Sequence, residues 1–269
     1  MGEIKLRLDL YTVEKGIIKS RERAKELIKS GNVTVNGRVI YKPSYDTEEN
    51  DIIEVLCEQL KYVGRGGLKL EKAVKAFSID LNEKVCIDIG ASTGGFTDCM
   101  LQNNALKVYA VDVGHDQLAE SLLKNNKVIN LEKTNIKNLS NDYFSERIDF
   151  IASDVSFVSL KQIIPKISEF LSAEGEAVLL VKPQFEAGRA NIGKNGIVKN
   201  PKVHVRVINE IIQSAAENGL YAQGLDHSPI CGGDGNIEYL LYLKKQKAST
   251  VPDSVQAVEN AFISLKKKG

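Results

Sequence analysis

From residue 85 onward the chain repeats one pattern, a short apolar run followed by a stretch whose apolar residues keep helical spacing. The runs are 85–89, 108–113, 128–131, 148–153, 177–181 and 239–243. Such short, continuously apolar runs read as strands covered on both faces, and strands alternating with helices build a mostly parallel sheet. The expected fold class is therefore α/β. Ligands of such sheets bind beyond the carboxyl ends of the strands, so the residues that follow each run are the ones to read closely. With 269 residues, 43% apolar and 26% charged, the chain is not a disordered one and has room for a second, smaller domain. No apolar stretch approaches the ~20 residues that span a bilayer, and the first residues alternate charged with apolar groups. Neither a signal peptide nor a membrane helix is expected, and the expected location is cytoplasmic. The four cysteines form no Cys-x-x-Cys pair and read as reduced thiols, without a disulfide framework or a metal site.

The first run leads into Asp88-Ile89-Gly90-Ala91-Ser92-Thr93-Gly94-Gly95-Phe96-Thr97, a glycine-rich turn entering a helix. Missing side chains let a ligand approach the backbone. The turn is neither Gly-x-Gly-x-x-Gly nor a P-loop, so a pyrophosphate cradle and an NTPase are not indicated. Asp112 follows the second run, where a carboxylate accepts both hydrogen bonds of a ribose diol. Two acids so placed suit a nucleoside bearing a cation better than a polyphosphate, although a turn plus one acid also fits a purely structural turn. The joint pattern resembles the S-adenosylmethionine site of Rossmann-like methyltransferases. That resemblance implies S-adenosylmethionine as cofactor. It puts Asp88, Gly90, Ala91, Ser92, Thr93, Gly94, Gly95 and Phe96 near the methionine portion, Asp112 at the ribose, and Asn135 and Asp154, at the ends of strands three and four, near the adenine.

The formal net charge of +1 conceals a segregation: residues 1–45 hold ten basic side chains against five acidic ones, and residues 46–60 hold six acids and no Lys or Arg. Localised positive charge suits a phosphate backbone, though a basic helix face is often only a solvated one. Ser20 reads as an N-cap, Ala24, Leu27 and Ile28 form one stripe, and Gly31 reads as the stop of a short basic helix. Val33-Thr34-Val35-Asn36-Gly37-Arg38-Val39-Ile40 alternates around Asn-Gly, a strong hairpin signal. The run of Arg7-Leu8-Asp9, Lys19-Ser20-Arg21-Glu22-Arg23-Ala24 and Val33-Thr34-Val35-Asn36-Gly37 resembles the small α+β RNA-binding module of a ribosomal small-subunit protein, pseudouridine synthases and tyrosyl-tRNA synthetases. RNA contacts are accordingly expected at Arg7, Lys19, Arg21, Arg23, Lys25 and Lys29.

Four polar residues stand where the sheet would project them toward one mouth: Lys69, Asp154, Lys182 and Glu238. Methyl transfer from a sulfonium needs an in-line oxygen held near 3 Å and little covalent chemistry from the protein. A ribose hydroxyl needs its proton drawn away, and a lysine does this only when burial or a second cation lowers its pKa. Lys182 is taken as base or proton relay, Lys69 as the group positioning the acceptor oxygen, and Asp154 and Glu238 as their orienting carboxylates. Each alone reads as an ordinary strand-end charge. Together their order and spacing resemble the Lys-Asp-Lys-Glu tetrad of ribose 2′-O-methyltransferases of the FtsJ class.

With the small module in front, the chain resembles the TlyA family of bacterial rRNA cytidine-2′-O-methyltransferases, also labelled hemolysins. The matching segments are the glycine turn, Asp154-Val155-Ser156-Phe157, Val181-Lys182-Pro183-Gln184-Phe185-Glu186 and Gly235-Asn236-Ile237-Glu238-Tyr239, and Gly64 departs from the family's usual serine. The implied organisation is an RNA-binding domain at 1–60, a linker at 61–68, a methyltransferase domain at 69–246 and a helical extension at 247–269. The implied partner is ribosomal RNA in assembled or partly assembled subunits, with no membrane and no metal. Arg65 in the linker, and Arg189, Lys194 and Lys199 in the glycine- and cation-rich segment 186–199, are further RNA candidates; that segment reads as a mobile lid or a plain surface loop. The three histidines form no metal or nucleophile motif. Three other readings stay open: a base N-methyltransferase, separable by locating the methylated atom; a membrane-active hemolysin, separable by liposome leakage; and a non-catalytic RNA-binding protein, separable by cofactor binding.

Overall fold

The computed structural model describes residues 6–18, 20–29, 31–56, 61–193, 195–233 and 235–266. The chain divides into two compact units at residues 61 and 62.

The first unit runs β1 (Leu6–Arg7), α1 (Leu8–Glu14), α2 (Arg21–Lys29), β2 (Val33–Val35), β3 (Arg38–Val39), β4 (Asp46–Thr47) and β5 (Ile53–Val55). Ser20 accepts the Arg23 amide at 3.3 Å and Gly31 turns the chain away at φ +75°, as an N-cap and a stop should. Asn36 and Gly37 both take positive φ, which lets a two-residue turn match the twist of β2 and β3. Leu8, Ile18, Ala24, Leu27, Ile28, Val33 and Val35 close one small core beneath β3-β2-β5.

The second unit contains α3 (Gly66–Ala76), β6 (Val85–Ile89), α4 (Gly95–Gln102), β7 (Lys107–Val111), α5 (Glu120–Leu123), β8 (Val128–Leu131), β9 (Ile148–Ser153), α6 (Ile164–Phe170), β10 (Leu171–Val181), α7 (Pro183–Glu186), α8 (Pro201–Glu217), β11 (Tyr221–His227), β12 (Tyr239–Lys244) and α9 (Ser254–Lys266). A seven-stranded sheet has the order β11-β12-β10-β9-β6-β7-β8; β12 alone runs against its neighbours. Successive strand residues go to opposite faces, so Ile87, Ile151, Leu179 and Leu241 join one core and Cys86, Phe150, Val178 and Leu240 the other. Each fully buried aliphatic side chain contributes roughly 1.5–3 kcal/mol by leaving water.

Strand β11 has no counterpart among the six apolar runs. It lies at the sheet edge, half-buried, and shifts register between Ala222 and Gly224, where a Cβ would stand 2.6 Å from the Phe77 ring. Residues 62–68, read in sequence as linker, belong to the second unit: Tyr62 is buried and α3 already begins at Gly66. A glycine pair reads as a helix breaker, yet here it opens α3: a Cβ on Gly67 would stand 2.3 Å from the Tyr62 ring, and Gly95 of α4 approaches so closely that a Cβ on it would lie 2.9 Å from the Gly67 nitrogen. In α9, Ala257, Val258 and Ala261 are buried, whereas Val255 is 51% exposed.

The sheet order reverses between β6 and β9. Such a switch point opens a crevice at the carboxyl ends of the strands.

Candidate active site

Lys69, Asp154, Lys182 and Glu238 meet at that crevice. Asp154 follows β9, Lys182 follows β10, and Glu238 precedes β12, whose antiparallel direction brings its start to the same mouth; Val181 pairs with Tyr239. Lys69 comes from α3 across the crevice. The charges alternate in a chain: Lys182 Nζ lies 2.5 Å from Asp154 Oδ1, Lys69 Nζ lies 3.4 Å from Asp154 Oδ2 and 2.7 Å from Glu238 Oε2. Lys69, Lys182 and Glu238 are buried and Asp154 is partly so. Burial lowers the pKa of Lys69, but Asp154 and Glu238 together outweigh it and hold Lys69 above the usual lysine value, so it stays an ammonium ion. The mutual depression of two neighbouring cations envisaged from sequence does not apply to Lys69, because two carboxylates stand beside it. Lys182 Nζ also donates to Ser156 Oγ at 2.9 Å and lies 5.9 Å from the centre of the Phe185 ring.

The glycine turn forms the floor. Gly90 takes φ +84°, and a Cβ there would stand 2.8 Å from the Asp154 carbonyl oxygen, so only glycine keeps this approach. Gly90, Ala91, Ser92, Thr93, Gly95 and Phe96 line a cavity of about 280 Å³ that also contains all four charged residues. Gly94 caps α4 in the left-handed region, and Asp88 lies beneath the turn; neither lines the cavity. Asp88 is fully buried, accepting the Thr97 amide (2.9 Å) and hydroxyl (2.7 Å) with Oδ2, while Oδ1 has no hydrogen-bond partner among the described residues. Burial pushes its pKa up to about 7 against the lowering effect of Thr97.

A second cavity of about 440 Å³ adjoins the first, with Gly90, Ser92, Asp154, Ser156 and Phe157 common to both. Asp112 and Asn135 line it. Asp112 accepts the Ser92 and Gly114 amides at 2.7 Å, one on each oxygen, and each oxygen keeps a second lone pair. Asn135 Oδ1 accepts the Lys137 amide at 3.0 Å. Asp154 lines this cavity too, with its carboxylate engaged by both lysines. A small charged cavity beside a larger one with an acid on its wall fits the methionine and nucleoside halves of S-adenosylmethionine, and Gly90 lines both cavities.

The RNA candidates are distributed otherwise. Lys25 and Lys29 stand on α2, the first partly exposed and the second exposed, and Arg23 is partly exposed on the same helix. Arg7 and Arg21 are partly spent on one carboxylate, both bonding the fully buried Asp9. Arg65 is exposed at the start of α3, and Arg189 and Lys199 are exposed in the loop after α7. Lys19 and Lys194 lie outside the described residues. That loop is pinned at both ends rather than free to swing as a whole. Ala187 O accepts Arg206 (3.1 Å), and Val198 is held by Asn236 Oδ1 through its amide and by His204 Nε2 through its carbonyl.

Sequence reading missed Ser156, Thr97, Asn236 and Phe157. Ser156 and Thr97 had one available signal, short polar side chains inside motifs already singled out. Phe157 had none: its φ of +63°, unusual for a bulky residue, and its 90% exposure exist only in the fold. Its ring centre lies 4.9 Å from that of Phe185, over the shared mouth of the two cavities. Among the described residues, no group of three His, Cys, Asp or Glu side chains could hold a metal ion, and no helix is long and apolar enough to cross a membrane.

Comparison with known proteins gives a family model described as FtsJ-like methyltransferase over residues 62–245 and one described as S4 domain over residues 6–53. The chain is 44% identical to Bacillus subtilis YqxC, whose rRNA methyltransferase label is provisional, over 100% of this chain and 98% of that one. It is 37% identical to the 16S/23S rRNA (cytidine-2′-O)-methyltransferase TlyA of Mycobacterium tuberculosis, over 89% of this chain and 90% of that one. A solved structure from Streptococcus thermophilus that carries a hemolysin label matches with a TM-score of 0.78 and 40% identity, covering 99% of each chain.

Proposed function

The chain belongs to the FtsJ-like methyltransferase family, with an S4 domain ahead of the catalytic one, and from that premise we propose that it methylates the 2′-hydroxyl of a cytidine ribose in ribosomal RNA. Its cofactor is S-adenosylmethionine, which supplies a methyl group activated by the sulfonium. The single observation that carries the reading is the alternating chain Lys182–Asp154–Lys69–Glu238 at the wall of the cavity floored by the glycine turn.

In this reading Lys69 remains charged and donates a hydrogen bond to the acceptor oxygen, holding it in line with the transferring carbon. Lys182, between Asp154 and Ser156, is the base or proton relay: it would hand one of its own protons to Asp154 as it takes the hydroxyl proton, while the methyl group would pass from sulfur to the ribose oxygen and leave a neutral thioether. Asp154 and Glu238 orient the two lysines, and Phe157 offers an exposed ring on which the base of the acceptor nucleotide stacks. Exposed cations on α2 and around 189–199 meet RNA phosphates, and the substrate is rRNA within an assembled or partly assembled subunit, where ribose hydroxyls and backbone are presented more readily than base edges.

The test is to incubate the protein with separated ribosomal subunits and isotopically labelled cofactor and to locate the label by nucleoside mass spectrometry. The expected product is 2′-O-methylcytidine. Lys182→Ala is expected to lower turnover by about 10²–10⁴-fold while leaving cofactor affinity within a few-fold. A methyl group found on a base nitrogen, or full turnover by Lys182→Ala, would remove the proposed roles.

A further inference from the structure

The first unit contains a buried carboxylate that its core does not require. Asp9 has no exposed surface, and its oxygens are gripped by two arginines: Arg7 donates Nε to Oδ1 (2.9 Å) and Nη2 to Oδ2 (3.1 Å), and Arg21 donates Nε to Oδ2 (3.1 Å). The Asp9 amide donates to Pro43 O at 3.0 Å, which fixes the backbone beneath. Both arginines reach it from the surface, with side chains 44% and 43% exposed. Hydrogen bonds from Arg7, opposed by burial and aided by Arg21, hold the Asp9 carboxyl below its ordinary range, so it is an anion at neutral pH.

Stability is a weak reason for this arrangement. A desolvated carboxylate between arginines is often matched or exceeded by well-packed apolar residues. What it does achieve is geometric: two guanidinium groups that would repel each other converge on one oxygen, Oδ2. The three bonds leave both Nη groups of Arg21 and Nη1 of Arg7 outside the Asp9 grip. Planar, permanently charged donors fixed side by side match the two free oxygens of a phosphodiester. Asp46, opposite Arg7 in the β1–β4 pair, offsets part of the charge, so position rather than net charge distinguishes the place.

We propose that Asp9 is a positioning residue of the RNA interface, locking Arg7 and Arg21 into one two-armed fork that takes a single phosphodiester of the RNA backbone. This rests on the reading of the first unit as an rRNA-binding module.

The experiment compares binding of the full chain and its Asp9→Asn variant to protein-free bacterial ribosomal RNA across a salt series. If charge alone mattered, removing a carboxylate from a basic surface would tighten binding. The expected result has the opposite sign: affinity falls by about tenfold and the salt slope drops by about one phosphate contact. Equal or tighter binding by Asp9→Asn overturns the proposal. Should the wild-type chain bind without salt dependence, the RNA-binding reading itself fails. Since Asp9→Asn sits in a small core, Arg7→Lys and Arg21→Lys provide a second arm that keeps every charge while losing the fork. Each is expected to weaken binding by about as much, and unchanged affinity in both overturns the proposal even if Asp9→Asn melts.

Discussion

Asp88 carries the sharpest consequence at the scale of one residue. A fully buried carboxylate with one oxygen bonded to Thr97 and the other without a hydrogen-bond partner among the described residues is costly to ionise, and burial pushes its pKa up to about 7. An unfolded Asp titrates near 4, so between about pH 4 and pH 7 the native state holds more protons than the unfolded one. Stability therefore falls as pH rises through that window, by about 4 kcal/mol in all, and the loss is complete above it. Thermal melts from about pH 4 to pH 8 should show the fall in the wild type and a flatter profile in Asp88→Asn; an unchanged slope in the variant would assign it to other groups. The sequence placed Asp88 at the cofactor. In the fold it braces the first turn of α4 from below, because the β6 side chain at that position faces the α3–α4 core, while the next residues, Gly90 to Thr93, meet the cavity.

At the scale of elements, the loop after α7 depends on Asn236. This residue has no exposed surface; its Oδ1 accepts the Val198 amide (3.0 Å), its Nδ2 donates to Gly196 O (3.0 Å), and Glu238 follows two positions later. His204 bonds the Val198 carbonyl through Nε2–H, so its Nδ1 accepts the Tyr239 hydroxyl at 2.8 Å and the ring is neutral, its pKa lowered by burial. Asn236→Ala would strand the Val198 amide, at a cost of about 1–3 kcal/mol. We expect a lower melting temperature, faster proteolytic cutting within 188–198 and weaker methyl transfer; a variant with native proteolytic resistance would show that the loop is held by other contacts. Repeating apolar runs made the central strands legible. Strand β11 was not, since Gln223, Gly224 and Asp226 on an edge strand carry no apolar signature, and α3 was hidden by its opening glycines.

At the scale of the molecule, the chain joins an S4 domain carrying exposed cations to a methyltransferase domain carrying buried ones. Lys25→Ala combined with Lys29→Ala removes two charges from α2 without touching the crevice. Binding to ribosomal RNA should weaken across the salt range, its logarithmic salt slope falling by about two, while cofactor affinity measured by calorimetry stays unchanged. A variant that retains the wild-type slope would place the phosphate contacts elsewhere on the chain.

Periodicity, the glycine turn and the segregation of charge were sufficient in the sequence alone to give an α/β sheet, a glycine turn at its strand ends and a basic module in front. These are local signals, set by the spacing of neighbouring residues. Which charges pair was not local. That Lys69 bridges Asp154 and Glu238, that Arg7 and Arg21 share Asp9, and that Phe157 stands in solvent over the mouth of the site depend on side chains up to 169 positions apart, as for Lys69 and Glu238. Electrostatic balance and burial are properties of distance through space, and only the tertiary structure supplies those distances.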